Sequence, residues 1–159
     1  MLLIDEIESA IGTVHLAVRG NALRELAFER PLEGTRRKTP VSDAVRAYFS
    51  GDLHALERIE VDPEGTPFQK NVWSLLREIP VGETRTYGQL AKRLGSSARA
   101  VGSANRTNPI ALVIPCHRVI AADGTLCGYA SGLHRKRWLL QHELTSVASI
   151  AQAELALSR

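Results

Sequence analysis

Residues 108–119, from Asn108 to Val119, read N-P-I-A-L-V-I-P-C-H-R-V. Pro109 opens an apolar run, Ile110 to Ile114. Pro115 ends any strand or helix just before Cys116, because proline has no N–H and a locked φ. A cysteine at such a break, followed at once by His117 and Arg118, stands where a reactive thiol would be useful. The thiolate is the nucleophilic form, and adjacent positive charge or a histidine lowers a cysteine pKa from about 8.5 towards neutrality. Residue types alone leave a second reading open, since free cysteine is often buried and inert at the end of an apolar strand.

Upstream of this stretch the chain is predicted to form three short helices. Thr66 caps the first, with Pro67 at its first position, and Phe68, Val72, Trp73, Leu75 and Leu76 form a core-facing stripe at helical spacing. Pro80-Val81-Gly82 breaks it. Thr86 caps a second helix containing Leu90, Ala91 and Leu94, which Gly95 closes. A third runs from about Ser97 to Asn105. Two short helices joined by a Gly-Ser turn predict a helix-turn-helix, with the third helix in the recognition position. Ala98, Ala100, Gly102, Ser103 and Ala104 give that helix a small-residue surface, with Arg99 near its start. A helix with side chains is about 10–12 Å across and the minor groove about 6 Å wide, so only a helix of small residues presses in without gross distortion. The opposing reading is a small-residue helix packed tightly on its neighbour.

Downstream, Val119-Ile120, the turn Ala122-Asp123-Gly124 and the return through Leu126 to Tyr129 read as a hairpin-like loop. Cys127 within it reads as a small apolar residue. Ser131-Gly132 opens a last helix, Leu133 to about Leu144, which buries Trp138, Leu139 and Leu140. Arg135, Lys136 and Arg137 read as a solvated face, with contact to phosphate as the alternative. Residues 146–159 form an Ala-rich tail, expected to be helical.

The first 64 residues predict a small α/β lobe. Ile11–Val18 and Ala22–Phe28 are partly alternating segments joined at Gly20-Asn21, a hairpin signal. Pro31 to Pro40 reads as a loop, Ser42 as the cap of a helix from about Asp43 to Phe49 ended by Gly51, and Ile59–Val61 as another strand. His15 and His54 stand apart from other catalytic residue types and read as structural or solvated. The expected architecture is therefore an α/β lobe over 1–64, then a mainly α, winged-helix-like domain over 65–145 with the helix-turn-helix and the cysteine loop.

The 159 residues carry a net charge of +3, which permits nucleic acid without requiring it. Basic residues outnumber acids between Arg85 and Arg137, an excess absent from the first 65 positions. Two cysteines exclude a disulfide framework and lack the short paired spacing of a zinc site. An unpaired thiol beside a histidine favours a reducing compartment. M-L-L-I-D-E-I-E-S has no basic leader region, and no apolar run approaches the roughly 20 residues that span a bilayer. A cytoplasmic, monomeric protein without membrane contact is expected.

The P-C-H-R-V core does not stand alone. Around it lie F-Q-K-N-V-W (Phe68–Trp73), I-P-V-G-E-T-R-T-Y-G-Q-L-A (Ile79–Ala91), A-R-A-V-G-S-A-N (Ala98–Asn105), D-G-T-L-C-G-Y-A-S-G-L (Asp123–Leu133) and R-K-R-W-L-L-Q-H-E (Arg135–Glu143). These blocks, in this order from about residue 66 to 143, resemble the O6-alkylguanine-DNA alkyltransferases, also called methylated-DNA–protein-cysteine methyltransferases.

The resemblance implies irreversible, single-turnover transfer of an alkyl group from O6-alkylguanine in double-stranded DNA to Cys116 after nucleotide flipping, with O4-alkylthymine as a candidate second substrate. Its partner would be DNA bound through the minor groove, and no cofactor is implied. His117 would act on the thiol through a water, with Glu143 behind it as the orienting carboxylate. Tyr87 would donate a hydrogen bond to the departing base, and Asn108 would brace the cysteine turn. Arg99 would fill the stack left by the flipped nucleotide, among DNA-binding residues Ala98, Ala100, Gly102 and Ser103. The substrate pocket would be walled by Pro115, Val119, Tyr129, Ala130 and Ser131. Some members hold a structural zinc in the first lobe with cysteine and histidine ligands; this lobe has no cysteine, so no metal is expected. Many members have glycine at the place of Ser131, which puts tolerance of large alkyl groups in question. The competing readings are a non-catalytic alkylated-DNA binder, which Cys116 argues against, a Cys–His hydrolase, and a transcription regulator.

Overall fold

The computed structural model describes residues 1–126 and 128–157, with side chains to Thr145. Cys127 lies outside the described residues. The first lobe is built on a five-stranded sheet of order β4-β1-β2-β3-β5, comprising β1 (Leu3–Ser9), β2 (Gly12–Arg19), β3 (Ala22–Phe28), β4 (Thr35–Arg36) and β5 (Glu60–Val61). β1, β2 and β3 form an antiparallel meander, whereas β4 and β5 pair in parallel at its two sides. The β2–β3 turn has two residues, because Arg19 pairs with Ala22, and Gly20 takes the positive φ of 61° that such a turn requires. Residues 14–18 of β2 are all buried, so this middle strand is covered on both faces.

Helix α1 (Pro40–Phe49) starts earlier than the sequence suggests. Its cap is Thr39, with Pro40 at the first position, where the missing N–H costs nothing. Ser42, expected as the cap, is instead the reciprocal partner three residues on: Thr39 Oγ1 accepts from Ser42 N at 3.4 Å, and Ser42 Oγ from Thr39 N at 3.3 Å. β1 and β4 are further differences, since β1 was legible only as a non-leader terminus and β4 falls in the predicted loop.

α2 (Pro67–Leu76) and α3 (Tyr87–Leu94) begin with the same device, Thr66 with Gln69 and Thr86 with Gln89. α4 (Ala98–Arg106) is capped by Ser97, whose hydroxyl accepts from Ala100 N at 3.1 Å. Gly95 closes α3 in the left-handed conformation, φ 62°, leaving a three-residue link, Gly95 to Ser97, between α3 and α4. A short parallel pair joins β6 (Arg85–Thr86) to β7 (Val119–Ile120). α5 runs without a break from Leu133 to Leu157, so the predicted final helix and the helical tail are one element.

The run Ile110–Ile114 is neither strand nor helix. Ile110 makes one parallel bridge to Leu26 of β3, with Leu26 N donating to Pro109 O at 3.0 Å and Ala111 N to Leu26 O at 3.2 Å. The chain then turns sharply twice. Val113 N bonds Ala111 O at 2.9 Å around Leu112, whose φ is 73°, and Cys116 N bonds Ile114 O at 2.7 Å around Pro115. Both are three-residue γ-turns, and the positive-φ form at Leu112 is the rarer and more strained. Buried apolar side chains form one continuous cluster, from Leu16 and Leu26 of the sheet through Val45 and Tyr48 of α1, Trp73 and Leu76 of α2 and Val101 of α4, to Ile114, Val119 and Leu139. Among the described residues, no helix is long and apolar enough to cross a membrane, and no group of three His, Cys, Asp or Glu is arranged to hold a metal.

Candidate active site

The second γ-turn delivers Cys116 to the first position of a single 3-10 turn, Cys116–Arg118, which is buried throughout. Asn108 fixes the approach. Its Nδ2 donates to Ile114 O and its Oδ1 accepts from Ile110 N, both at 2.9 Å, so one side chain ties the two ends of the double turn. Asn105 of α4 adds a longer contact, Nδ2 to Cys116 O at 3.5 Å.

Behind Cys116 lies a buried ionic cluster centred on Glu143 of α5. His117 Nε2 sits 2.9 Å from Glu143 Oε2, and both side chains are essentially without solvent exposure. Arg118 approaches the same carboxylate as a fork, Nε to Oε1 at 2.8 Å and Nη2 to Oε2 at 2.9 Å, while its Nη1 donates to Ile79 O at 2.8 Å. Tyr48 of α1 completes the set, its hydroxyl donating to Glu143 Oε2 at 2.7 Å. Burial alone raises a carboxyl pKa, but His117 and the Arg118 fork outweigh it and hold Glu143 well below the ordinary carboxylate range. Burial pushes Tyr48 the other way, and the facing carboxylate adds to the rise, so its hydroxyl stays a donor.

The thiol itself departs from the sequence reading. Burial pushes Cys116 above the ordinary thiol value, and hydrogen bonding to Asn108, the charge of Lys136 and the nearby Tyr129 only partly offset this. Adjacent positive charge therefore does not leave a resting thiolate; Arg118 has turned away to Glu143. His117 is lowered, chiefly by burial, against the raising effect of Glu143. The pair at rest is a neutral thiol beside a neutral imidazole, with Glu143 holding Nε2. The other nitrogen, Nδ1, is buried and has no hydrogen-bond partner among the described residues, which leaves it as the ring position able to accept a proton.

Of the residues expected to wall the pocket, Val119 and Pro115 are buried, Tyr129 and Ser131 half-buried, and Ala130 exposed. The Tyr129 hydroxyl is buried beside Cys116 and Ser131, without a partner at full hydrogen-bond geometry. Ser131 O accepts from Arg135 Nη1 at 2.8 Å, and Gly132 follows at φ 100°, a conformation that favours glycine. Arg135 also donates to Ile11 O at 2.7 Å and lies over the Phe28 ring at 5.3 Å, tying the start of α5 to the sheet lobe. It is thus not the solvated residue the R-K-R run suggests. Neither is Lys136, which is fully buried with Nζ donating to Val119 O and Gly128 O. Only Arg137 of the three is exposed. The signal for Lys136 was present, since Lys136, Leu139, Leu140 and Glu143 fall at i, i+3, i+4 and i+7.

The remaining predicted residues sit on α3 and α4. Tyr87 opens α3 and is half-buried, its ring against Gly102, where an added Cβ would lie 3.8 Å away. Gly102 and Ala104 are buried rather than outward, because they turn towards Tyr87 and towards Trp73, whose Nε1 donates to Ala104 O at 2.8 Å. Ala98, Arg99 and Ser103 are exposed and Ala100 partly so. Arg99, Ser103 and Arg106 recur at i, i+4 and i+7 on one exposed face, which brings in Arg106, a residue absent from the sequence reading. Arg118, Tyr48 and Lys136 are likewise additions to the site.

A family model described as 6-O-methylguanine DNA methyltransferase, DNA binding domain, matches residues 67–145. The methylated-DNA–protein-cysteine methyltransferase of Shigella flexneri is 53% identical over 105 residues, which span 65% of this chain and 61% of that protein. The Mycobacterium tuberculosis protein of the same name is 45% identical over 162 aligned positions, 95% of each chain. The crystal structure of Mycobacterium tuberculosis OGT in complex with DNA is similar with a TM-score of 0.80 at 41% identity, covering 91% of this chain and 94% of that one. Identity of this order over nearly the whole length, on a shared fold, means that the chain belongs to the methylated-DNA–protein-cysteine methyltransferase family.

Proposed function

We propose that the protein repairs DNA by moving the alkyl group of O6-alkylguanine onto Cys116, once per molecule. The observation that carries this reading is the geometry at Cys116: a buried thiol on a doubly turned, Asn108-braced loop, with a neutral histidine whose far nitrogen is held by an ionised carboxylate. In the transfer a bond forms between Cys116 Sγ and the alkyl carbon as the carbon–O6 bond breaks. The thiol proton passes to His117 Nδ1 through a water, and Glu143 stabilises the imidazolium that results. The guanine leaves with the bonding pair and is reprotonated on its ring. Tyr87 donates to the ring as charge develops there. The thioether has no exit route among these residues, so the molecule is consumed.

α3, the Gly95–Ser97 link and α4 serve in this reading as a helix-turn-helix, and Arg99, Ser103 and Arg106 face the minor groove of the duplex. Base flipping costs a few kcal/mol, least for a damaged or mispaired base. O4-alkylthymine is a second substrate of the same chemistry. Residues 1–64 form the supporting lobe, 65–145 the winged-helix-like domain that binds and reacts, and 146–159 the tail; the protein acts as a cytoplasmic monomer without a cofactor. Intact mass after incubation with a methylated oligonucleotide tests the reading. One methyl group gained, mapped to the peptide carrying Cys116, supports it, and an unchanged mass rejects it. Hydrolysis of thioester or peptide substrates with Cys116 unmodified would support the Cys–His hydrolase instead.

Two substitutions probe the surroundings. Arg99→Ala is expected to slow transfer from methylated duplex about tenfold, the loss of one good contact, while leaving reaction with free O6-benzylguanine nearly unchanged. Second-order rates on both substrates check this, and equal losses would assign Arg99 to the fold or pocket. Ser131→Gly is expected to speed reaction with benzylated guanine about fivefold, ~1 kcal/mol of relieved crowding, and methylated DNA much less. A fall in both rates would give the Ser131 hydroxyl a part in catalysis.

A further inference from the structure

Tyr48 is fully buried on α1, 95 residues before its partner Glu143. Its ring packs edge-on against Phe49 and His142, with centroids 5.4 and 5.2 Å away, so the hydroxyl is held in one direction. A phenylalanine would fill the same space. The hydroxyl is therefore explained by its bond to Glu143 Oε2 at 2.7 Å, the same oxygen that meets His117 Nε2 and Arg118 Nη2, each at 2.9 Å.

We propose that Tyr48 is a positioning residue for alkyl transfer: its hydroxyl shares Glu143 Oε2 with His117 and so limits how strongly that carboxylate holds a proton on the imidazole. This rests on the transfer reaction assigned above to Cys116.

A carboxylate oxygen has about two lone-pair directions, and here three donors compete for one oxygen. Each draws charge from it. Removing the phenol returns charge to Oε2, strengthens its hold on His117 and favours the imidazolium. An imidazolium cannot accept the proton of Cys116, so the reaction loses its base. The charged groups acting on His117 are Glu143 and Lys136 from α5 and Arg118 from its own turn, and Tyr48 of α1 reaches it only through Glu143 Oε2. Arg118 and Lys136 disfavour the imidazolium while Glu143 favours it. A change at Glu143 therefore acts directly on the balance. The arrangement also explains why a residue of the sheet lobe reaches across to the reacting domain, where a purely apolar contact would pack as well.

The test is the pH dependence of single-turnover methyl transfer for wild type and Tyr48→Phe. The acid limb of the variant is expected to move up by about half to one pH unit. On the acid side of the limb its rate then falls about three- to tenfold, while the plateau at high pH stays close to wild type. An unmoved limb overturns the proposal, and so does a fall by the same factor at every pH, which marks a purely structural role. If Tyr48→Phe does not fold, a fluorotyrosine placed at position 48 keeps the shape and donates more strongly. It should move the limb to lower pH, and an unmoved limb again overturns the proposal. Wild type that fails to take up methyl at Cys116 rejects the transfer reaction and this proposal with it; wild-type transfer with an unmoved limb in the variant rejects only the role of Tyr48.

Discussion

Replacing Cys116 by serine is expected to slow methyl transfer by at least about a thousandfold and to leave binding to methylated duplex little changed. An alcohol is a far weaker acid than a thiol, and burial already raises the Cys116 thiol. A neutral His117, itself lowered by burial, is matched to a thiol proton and not to that of an alcohol. Serine is slightly smaller than cysteine, and the turn is held by Asn108 and Pro115 rather than by the sulfur, so the fold survives. The exposed face of Arg99, Ser103 and Arg106 is untouched. Single-turnover transfer and a gel-shift titration measure the two effects separately. Transfer at a comparable rate would remove Cys116 from the reaction.

Glu143→Ala is expected to be the most destabilising single change near the site. It leaves the Arg118 guanidinium with no carboxylate and the Tyr48 hydroxyl without its acceptor, both in the interior. Breaking a buried pair from one side costs about 3–5 kcal/mol, which for a chain of this size lowers Tm by about 10 °C. Urea and thermal unfolding check it. The same cluster sets the acid limit of wild type. His117 is lowered in the folded state, so the unfolded chain binds more protons once the pH drops below about 6.5, and stability falls from there. Glu143 is depressed, so its contribution is full above its unfolded value near 4.5 and is lost as the pH falls further towards its folded value. Both slopes have the same sign, and Glu143→Ala should flatten the steeper one, below about pH 4.5.

Helices α2 and α3 are legible in the chain because their signals are local: Thr66-Pro67 with Gln69, and Thr86 with Gln89, lie within one turn of the ends they cap. Cys116 is legible locally, from Pro115 before it and His117 after it, whereas Asn108 enters as the brace of the turn through the family resemblance. Glu143 enters only through the family resemblance, since 26 residues separate it from His117. Tyr48 offers no local sign, because an aromatic on the inner face of an amphipathic helix reads as core whether or not its hydroxyl has a task. β1 is obscured by its acids: Asp5 is buried and faces Arg46 of α1 at 3.6 Å, which breaks the alternation expected of a half-buried strand. The run Ile110–Ile114 misleads most. Its composition suits a strand, but Leu112 spends its backbone on a strained turn, and what looks like regular structure is a mount for Cys116.

The bridge between Leu26 and Ile110 bears on how the molecule melts. β3 lends one backbone N–H and one carbonyl to the chain that carries the nucleophile. Detaching residues 1–64 would leave those groups of Pro109 and Ala111 without partners, and would take the Tyr48 donor from Glu143 and the Ile11 acceptor from Arg135. In thermodynamic terms the cooperative unit is therefore larger than the stretch that matches the family model. Hydrogen exchange at Leu26 and Ala111 should share one opening free energy, and a protease that nicks the sheet should silence Cys116 in the same event.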